Sequence, residues 1–300
     1  MNYKRIFKTK EARSRFLKKL SFLPDSTMVK LQYFIKLNRR LNLKNPVRFT
    51  EKLQWYKLHY RNPVMKQCVD KFEVREFVKH KGLEDILVKL YGCYEGADQV
   101  DWNALPDSFI AKKTFSGGGH DIYICKEKTP ENIEEVKKVF DFVPGNVPNK
   151  TSGREWAYSG LKRRVVIEEL LINEERPEAG INDYKIFCYN GKAGFIVYDT
   201  DRYIDHRRNF YDTEWNDLHI ESDCPKCKTD IPKPENFEEM LRVAEKLSED
   251  FPYVRVDLYN LKGRIYFGEL TFYPWSGYVQ YSPDSADFMF GEDFELRKCQ

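Results

Sequence analysis

The sequence predicts a mixed fold of helices and sheets, α/β in composition and α+β in arrangement. Three observations carry this expectation. Before residue 82 apolar residues recur at helical spacing. From residue 106 onward short apolar runs alternate with polar residues and are broken by Gly, Pro and Asn. Two of those runs are joined by Asn190-Gly191, a strong hairpin signal. With 300 residues, 41% hydrophobic and 15% aromatic, the chain has ample material for a packed core. No apolar run approaches the roughly 18 residues that span a bilayer, and Met1-Asn2-Tyr3-Lys4-Arg5 is not followed by an apolar signal core. A soluble, cytoplasmic protein is expected. Seven widely spread cysteines fit reduced thiols better than a disulfide framework.

The net charge of +3 conceals an uneven distribution. Residues 1–50 hold fourteen Lys or Arg against Glu11 and Asp25, a charge of +12 that leaves −9 for the rest. Such a leader can dock on an anionic lipid surface or another acidic polymer; a solvated helix face explains it equally well. No zinc-finger spacing or aromatic ribonucleoprotein motif is present, so no nucleic-acid partner is expected.

Residues 10–40 read as two helices split at Leu23-Pro24-Asp25, with Asp25 or Ser26 as cap before Met28, Leu31, Phe34, Ile35 and Leu37. Thr50 opens an aromatic-rich helix that ends before Asn62-Pro63, with Trp55 and Tyr56 as core residues. Asp70 suits the N-cap of a helix running to about Lys81 and closed by Gly82. Lys71 then sits in the first turn, where a cation opposes the helix dipole and needs either solvent or an anion. A short strand is expected over Ile86 to Tyr91.

Residues 106–124 read as strand, glycine loop and strand. Gly117, Gly118 and Gly119, preceded by Ser116, let backbone N–H groups approach phosphate oxygens, although a plain hairpin turn would also use them. No Lys-Ser/Thr follows the glycines and no helix pattern follows either, which excludes a Walker loop and a dinucleotide fingerprint. Strand alternation turns only one of Lys112 and Lys113 inward. A polar helix over 131–140 leads to a buried strand over 163–171 that ends in Glu168, Glu169, Leu170 and Leu171.

Asp183 to Tyr189 and Ala193 to Tyr198 form the Asn-Gly hairpin, with Lys185 a candidate for phosphate or a substrate carboxylate. Asp199-Thr200-Asp201-Arg202 follows. Asp-x-Asp is also the metal and sugar-nucleotide motif of many glycosyltransferases, though short enough to arise by chance. Arg202, Arg207 and Arg208 supply cations suited to an acyl phosphate. Cys224-Pro225-Lys226-Cys227 lacks the second ligand pair that structural zinc needs. A helix is expected over 235–249.

The richest stretch is Phe251 to Trp275. Strand-like runs Tyr253 to Tyr259 and Arg264 to Phe272 flank Leu261-Lys262-Gly263, which suits a three-residue hairpin loop with a left-handed glycine. Pairing Asn260 with Arg264 sets Arg255 opposite Glu269, with Asp257 one diagonal step away and Thr271 beyond. In that register Val254, Val256, Leu258, Tyr266 and Leu270 form one face, and the polar set shares the other with Tyr259, Ile265 and Phe267. Carboxylates so gathered suit a hard cation such as magnesium, and the arginine suits a phosphate oxygen. A cross-strand salt bridge on a solvated face is the simpler reading of the hairpin alone.

From about Pro46 to Gly277 the chain resembles the teichuronopeptide-biosynthesis (TupA-like) branch of ATP-grasp proteins. The carriers, in order, are NPVRFTEKLQWYKL, CVDKFEVREFV, the strand and glycine loop at 109–119, RVVIEELL, DYKIFCYNGK and FPYVRVDLY with YFGELTFYPWSG. The resemblance implies an ATP-grasp fold, two α+β subdomains clasping ATP, behind a basic helical region over 1–60. The core would begin at 61–105, the lid subdomain with the glycine loop would span 106–172, and the C-terminal subdomain with the magnesium site would span 173–300.

It also implies roles. Lys71 and Lys112 would hold ATP phosphates under the loop of Ser116 and Gly117 to Gly119. Glu168, Glu169, Leu170 and Leu171 would receive adenine and ribose. Asp257, Glu269 and Thr271 would form the Mg2+ set, with Thr271 where the family usually has Asn, and Arg255, Lys185 and Arg202 would serve the transferred phosphoryl group. The expected activity is an ATP-dependent carboxylate–amine ligase joining an amino acid or small amine to a uronic acid of a bacterial surface glycan or lipid-linked precursor. The leader would add peripheral contact with the anionic inner face of the membrane. The alternative is a glycosyltransferase holding a sugar nucleotide at Asp199 and Asp201.

Overall fold

In a computed structural model, residues 15–16, 19–116, 121–149 and 152–296 are described. The glycines at 117–119 and most of the first predicted helix, with its basic leader, lie outside those residues. Helix α1 spans Asp25–Leu37, with Pro24 at the N-cap and no side-chain cap. Asp25 therefore does not cap; it reaches Arg154 at 2.9 Å instead. Helix α2 (Phe49–His59) buries Phe49, Leu53 and Tyr56, which fall at i, i+4 and i+7 and so line one face. Two short helices follow, α3 (Val64–Val69) and α4 (Val74–His80). The helix expected from Asp70 starts four residues later. Asp70 instead accepts from the amides of Phe72 and Glu73 at 2.8 and 3.0 Å, stabilising an Asx-type turn that carries Lys71 ahead of the helix.

The strand expected at Ile86 is a 3-10 turn, Glu84–Ile86, and the strand β1 lies at Leu90–Tyr94. It enters a four-stranded antiparallel sheet, order β1-β4-β2-β3, with β2 at Phe109–Lys113, β3 at Ile122–Cys125 and β4 at Val165–Glu168. Helix α5 (Pro130–Lys137) packs on it; Thr129 caps this helix by accepting from the Asn132 amide. Phe109, Ala111, Val136, Val165 and Ile167 form a separate small core.

The larger sheet has the order β7-β6-β5-β8-β9 and is antiparallel throughout. Its strands are β5 (Asp183–Tyr189), β6 (Lys192–Thr200), β7 (Arg207–Tyr211), β8 (Tyr253–Leu261) and β9 (Arg264–Thr271). Helix α6 (Phe237–Ser248) covers one face with Phe237, Met240, Val243, Ala244 and Leu247, a single apolar stripe. Strands β5 and β8 are buried on both faces over most of their length, so the opposite face, which carries the charges, is itself shielded. Helix α7 (Ser285–Glu292) closes against α2, where Asp287 accepts from the Thr50 amide and hydroxyl.

The β8–β9 register differs from the sequence expectation in two places. Leu261 pairs with Arg264 across a two-residue turn in which Lys262 and Gly263 both have positive φ, 53° and 80°, as a primed turn requires. Gly268 is then an extra residue in β9, so Leu258 pairs with Phe267 but Asp257 pairs with Glu269 and Arg255 with Thr271. A Cβ on Gly268 would lie 2.9 Å from the Asp257 carbonyl oxygen, so the bulge has room only for glycine. The bulge reverses alternation between its two sides. Ile265 and Phe267 consequently share the core face with Leu258, while Glu269 and Thr271 join Asp257 and Arg255.

Candidate active site

Because paired residues of an antiparallel sheet point to one face, the registers place Arg208, Asp199, Asp183, Lys185, Asp257, Glu269, Arg255 and Thr271 side by side. Cations and carboxylates are mixed along this face, with Asp183 opposite Asp199 and Asp257 opposite Glu269. Arg208 donates to Asp199 through Nε at 2.7 Å and through its terminal nitrogen at 3.2 Å. Arg202 reaches Asp183 at 3.1 Å and Asp199 at 3.7 Å. Lys185 bridges Asp183 and Asp257, the latter at 2.9 Å. Arg255 grips both oxygens of Asp257 at 2.6 Å, then reaches Glu269 at 3.2 Å and the Thr271 hydroxyl at 3.1 Å. Thr271 donates in turn to Glu269 at 3.0 Å.

Burial decides the electrostatics of this row. Arg255, Lys185, Asp183, Asp199 and Asp257 are each at most 6% exposed, so every charge needs a partner. Burial pushes the Asp257 carboxyl up to about 6, against the pull of Arg255 and Lys185. Burial acts the same way on Glu269, but Lys71, Arg255 and Lys185 outweigh it and hold that carboxyl below its ordinary value. Asp199 is held well below the carboxylate range because His206, Arg208 and Lys185 outweigh its burial. The Oδ1 of Asp183 is buried with no hydrogen-bond partner among the described residues.

The small sheet contributes from the other side. Lys112 pairs with Glu168 at 2.9 Å, and Arg75 holds the other oxygen of Glu168 at 3.0 Å. Lys113, pointing the opposite way, pairs with Asp121, while Lys112 turns toward Glu168. The Lys71 amide donates to the Thr114 carbonyl at 3.1 Å and its ammonium to the Ser116 carbonyl. Burial lowers the Lys71 ammonium, and the Glu269 carboxylate is the strongest influence opposing that. Lys71 and Glu269 thus act on each other electrostatically. Glu169 is exposed, and its amide extends the β1 pairing by donating to Lys89 at 2.9 Å; Leu170 and Leu171 are half-buried behind it.

Asp199 and Asp201 do not come together. The strand ends between them, Asp201 takes φ 54°, and its carboxylate pairs with Arg176 at 2.8 Å beside a separate cavity of about 290 Å³. Cys224 and Cys227 are free thiols, and no group of three His, Cys, Asp or Glu suited to a metal occurs among the described residues. Sequence reading missed Asp183 and Asp199 as members of the row, although Asp183-x-Lys185 already has the spacing of one strand face. It also missed Trp275, whose ring lies under both Arg208 and Arg255 at 4.9 and 5.8 Å.

The sequence profile of the TupA-like ATP-grasp family matches residues 51–295. The chain belongs to that family, and is an ATP-grasp enzyme. A comparison with curated proteins gives no match. Solved structures similar to this TupA-like chain include D-alanine–D-alanine ligase from Bacillus anthracis, at 18% identity and TM-score 0.46, covering 77% of this chain and 67% of that one. The ADP complex of purK, N5-carboxyaminoimidazole ribonucleotide synthetase, shows 13% identity and TM-score 0.42 over 83% of this chain and 57% of its own. The ATP-grasp ligase PsnB with minimal precursor, Mg and ADP shows 13% and 0.38 over 74% and 57%. No helix among the described residues is long and apolar enough to cross a membrane.

Proposed function

We propose that this TupA-like protein is an ATP-dependent carboxylate–amine ligase that forms an amide through an acyl phosphate. The carboxylate is read as a uronic acid of a bacterial surface polysaccharide or its lipid-linked precursor, and the amine as an amino acid or other small amine. One observation carries the reading: the buried row in which Arg255 and Lys185 are held by Asp183, Asp257 and Glu269, with Lys71 among the cations that hold the Glu269 carboxyl down. Phosphoryl transfer asks a protein for positioning and charge neutralisation, and such a row supplies both.

Lys71 and Lys112 hold phosphate oxygens in this reading, with Glu168 fixing Lys112, and Ser116 and Gly117 to Gly119 serve as the phosphate-binding amides. Glu169, Leu170 and Leu171 flank adenine and ribose. Arg255, Lys185 and Arg202 neutralise the transferred phosphoryl group and the acyl phosphate. Asp257 and Glu269 stand directly opposite each other on neighbouring strands and offer the all-oxygen donor set that magnesium takes beside substrate phosphates, so the residues present fit that ion. Thr271 orients Glu269 by its hydrogen bond. When bound, magnesium supplies charge neutralisation at the terminal phosphates. The basic leader brings the enzyme to the anionic inner face of the membrane, where a lipid-linked precursor resides.

Calorimetric titration of ATP with magnesium, and of several sugar nucleotides, into wild type and Glu269→Ala tests this. Magnesium-dependent ATP binding that weakens at least tenfold in the variant is expected. Binding of a sugar nucleotide with no response to ATP would overturn the reading.

A further inference from the structure

The cavity of about 290 Å³ beside Asp201 lies on the face of the large sheet turned away from the carboxylate row. Successive side chains of a strand point to opposite faces. Tyr198 and Thr200 flank Asp199 in β6 and so point away from the row, and the pairing of Thr200 with Arg207 sends Arg207 the same way. All three line the cavity, with Asn182, which stands one residue before Asp183 of the row. Its walls are the segments around 173–176 and 227–231, and each is pinned in place. Asn173 accepts from the amides of Glu175 and Arg176 at 3.2 and 3.3 Å and donates to the Gly180 carbonyl at 3.3 Å. The Cys227 amide donates to Asn209 at 2.9 Å, and the Trp215 indole donates to the Ile231 carbonyl at 3.0 Å.

Charge and polar groups decide what such a cavity takes. Arg176, Arg207 and Lys228 stand against Glu175, Asp201 and Asp205, three cations to three carboxylates. A balanced set leaves no surplus cation for a phosphate and no surplus carboxylate for a polyamine. What suits it is a neutral ligand rich in hydroxyls, because each hydroxyl both gives and accepts a hydrogen bond. Groups for both roles are open. Asp201 meets Arg176 through Oδ1 at 2.8 Å, while its Oδ2 has no partner among the described residues. Asn182 accepts from the Thr200 hydroxyl at 2.7 Å, while its amide nitrogen has no partner among them. The volume lies just under the roughly 300–1,000 Å³ of small-molecule pockets, which suits one ring. A single loop joins the cavity to the row: Asp201 and Asp205 line the cavity, and Arg202 between them reaches Asp183 at 3.1 Å and Asp199 at 3.7 Å.

We propose that this cavity binds a neutral, non-reacting sugar ring of the acceptor glycan, apart from the uronic acid whose carboxylate is activated; this rests on the ligase reading above. Asp201 accepts from ring hydroxyls, and the Asn182 amide and Arg207 donate to ring oxygens. No bond is made or broken there. The uronic acid itself belongs to the row side of the loop, where Arg202 serves the acyl phosphate, because in the cavity the carboxylates of Glu175, Asp201 and Asp205 offset every cation. The glycan thus crosses the loop 201–205 with one ring on each side of it.

Saturation-transfer NMR on the full chain without nucleotide tests this, with D-glucose, D-galactose and N-acetyl-D-glucosamine as neutral probes and D-glucuronate and glucose 1-phosphate as anionic ones. Wild type is compared with Asp201→Asn, whose new side chain tolerates the left-handed φ of 54°, and with Thr229→Trp, which sets a ring into the cavity from an exposed position. Saturable binding of at least one neutral sugar is expected, weakened at least about fivefold in Asp201→Asn by loss of a charge-assisted hydrogen bond and lost in Thr229→Trp, while the affinity of both variants for ADP with magnesium stays within about twofold of wild type. No neutral sugar bound by wild type, binding that neither variant weakens, or either anion bound more tightly than every neutral sugar would each overturn the subsite. Failure of ADP with magnesium to bind wild type is read in its own titration and would overturn the ligase reading instead.

Discussion

Asp257 faces Glu269 across β8 and β9 because Gly268 adds one residue between Phe267 and Glu269. Without that bulge the strict pairing would set Asp257 against Gly268 and turn Glu269 toward the core. Two carboxylates on one face thus depend on a residue with no side chain.

Gly268→Ala tests this dependence. The new Cβ would meet the Asp257 carbonyl at 2.9 Å and the Tyr259 ring at 3.3 Å, and the carbonyl belongs to a buried strand that cannot yield cheaply. Destabilisation of about 1–3 kcal/mol is expected from overpacking, with weaker binding of ATP and magnesium. Urea unfolding and calorimetry would show both, and an unchanged affinity would separate the bulge from the site.

Lys185 is 6% exposed between Asp183 and Asp257, which are 5% and 2% exposed. Lys185→Met keeps the stem and removes the charge, leaving two buried carboxylates with fewer cations. Losing one partner of a buried ionic network costs about 3–5 kcal/mol, so a large drop in the urea midpoint is expected. A variant as stable as wild type would mean that the row is more hydrated than its burial implies.

The carboxylate hairpin was legible because the polar residues of β8 and β9 are distinctive in type and nearly regular in spacing. Its register was not, since Lys262-Gly263 fits both a two-residue and a three-residue loop and a lone glycine in a strand does not announce a bulge. Lys71 and Lys112 were legible as cations near a glycine loop, but the reason Lys71 is held as it is, an Asx turn at Asp70, looks like a helix cap in sequence. Asp199 read as half of a metal motif only while its partners were unknown; Arg208 comes from the next strand. The cavity beside Asp201 joins segments around residues 173–182, 198–207 and 227–231, and no local pattern marks such a meeting.

Arg154 ties the N-terminal segment to the Glu155 loop. Its side chain is 1% exposed and serves Ser21, Leu23 and Asp25. Arg154→Met should remove the donor shared by the Ser21 and Leu23 carbonyls and the ion pair to Asp25, and free the segment around residues 21–25. Faster cleavage there in limited proteolysis is the expected result, and a cleavage pattern identical to wild type would show that other contacts hold it.

The pH dependence of nucleotide binding follows from Asp257. Burial raises its carboxyl to about 6 in the folded chain, against about 3.9 unfolded. The sign for stability is fixed by that order: the group favours folding below the unfolded value and loses that contribution as pH rises through about 6. Binding of magnesium runs the other way, because the ion needs the carboxylate and competes with the proton. Glu269, held below its ordinary value by Lys71, Arg255 and Lys185 against its own burial, stays ionised and adds no step in this window. Affinity for ATP with magnesium should therefore be steady above pH 7 and about tenfold weaker at pH 5, with protons released on binding near pH 6. Calorimetry in two buffers of different ionisation enthalpy measures both quantities. A flat affinity between pH 5 and 7 with no proton release would show that Arg255 and Lys185 keep Asp257 ionised throughout, and that the row is poised for the cation without a proton to displace.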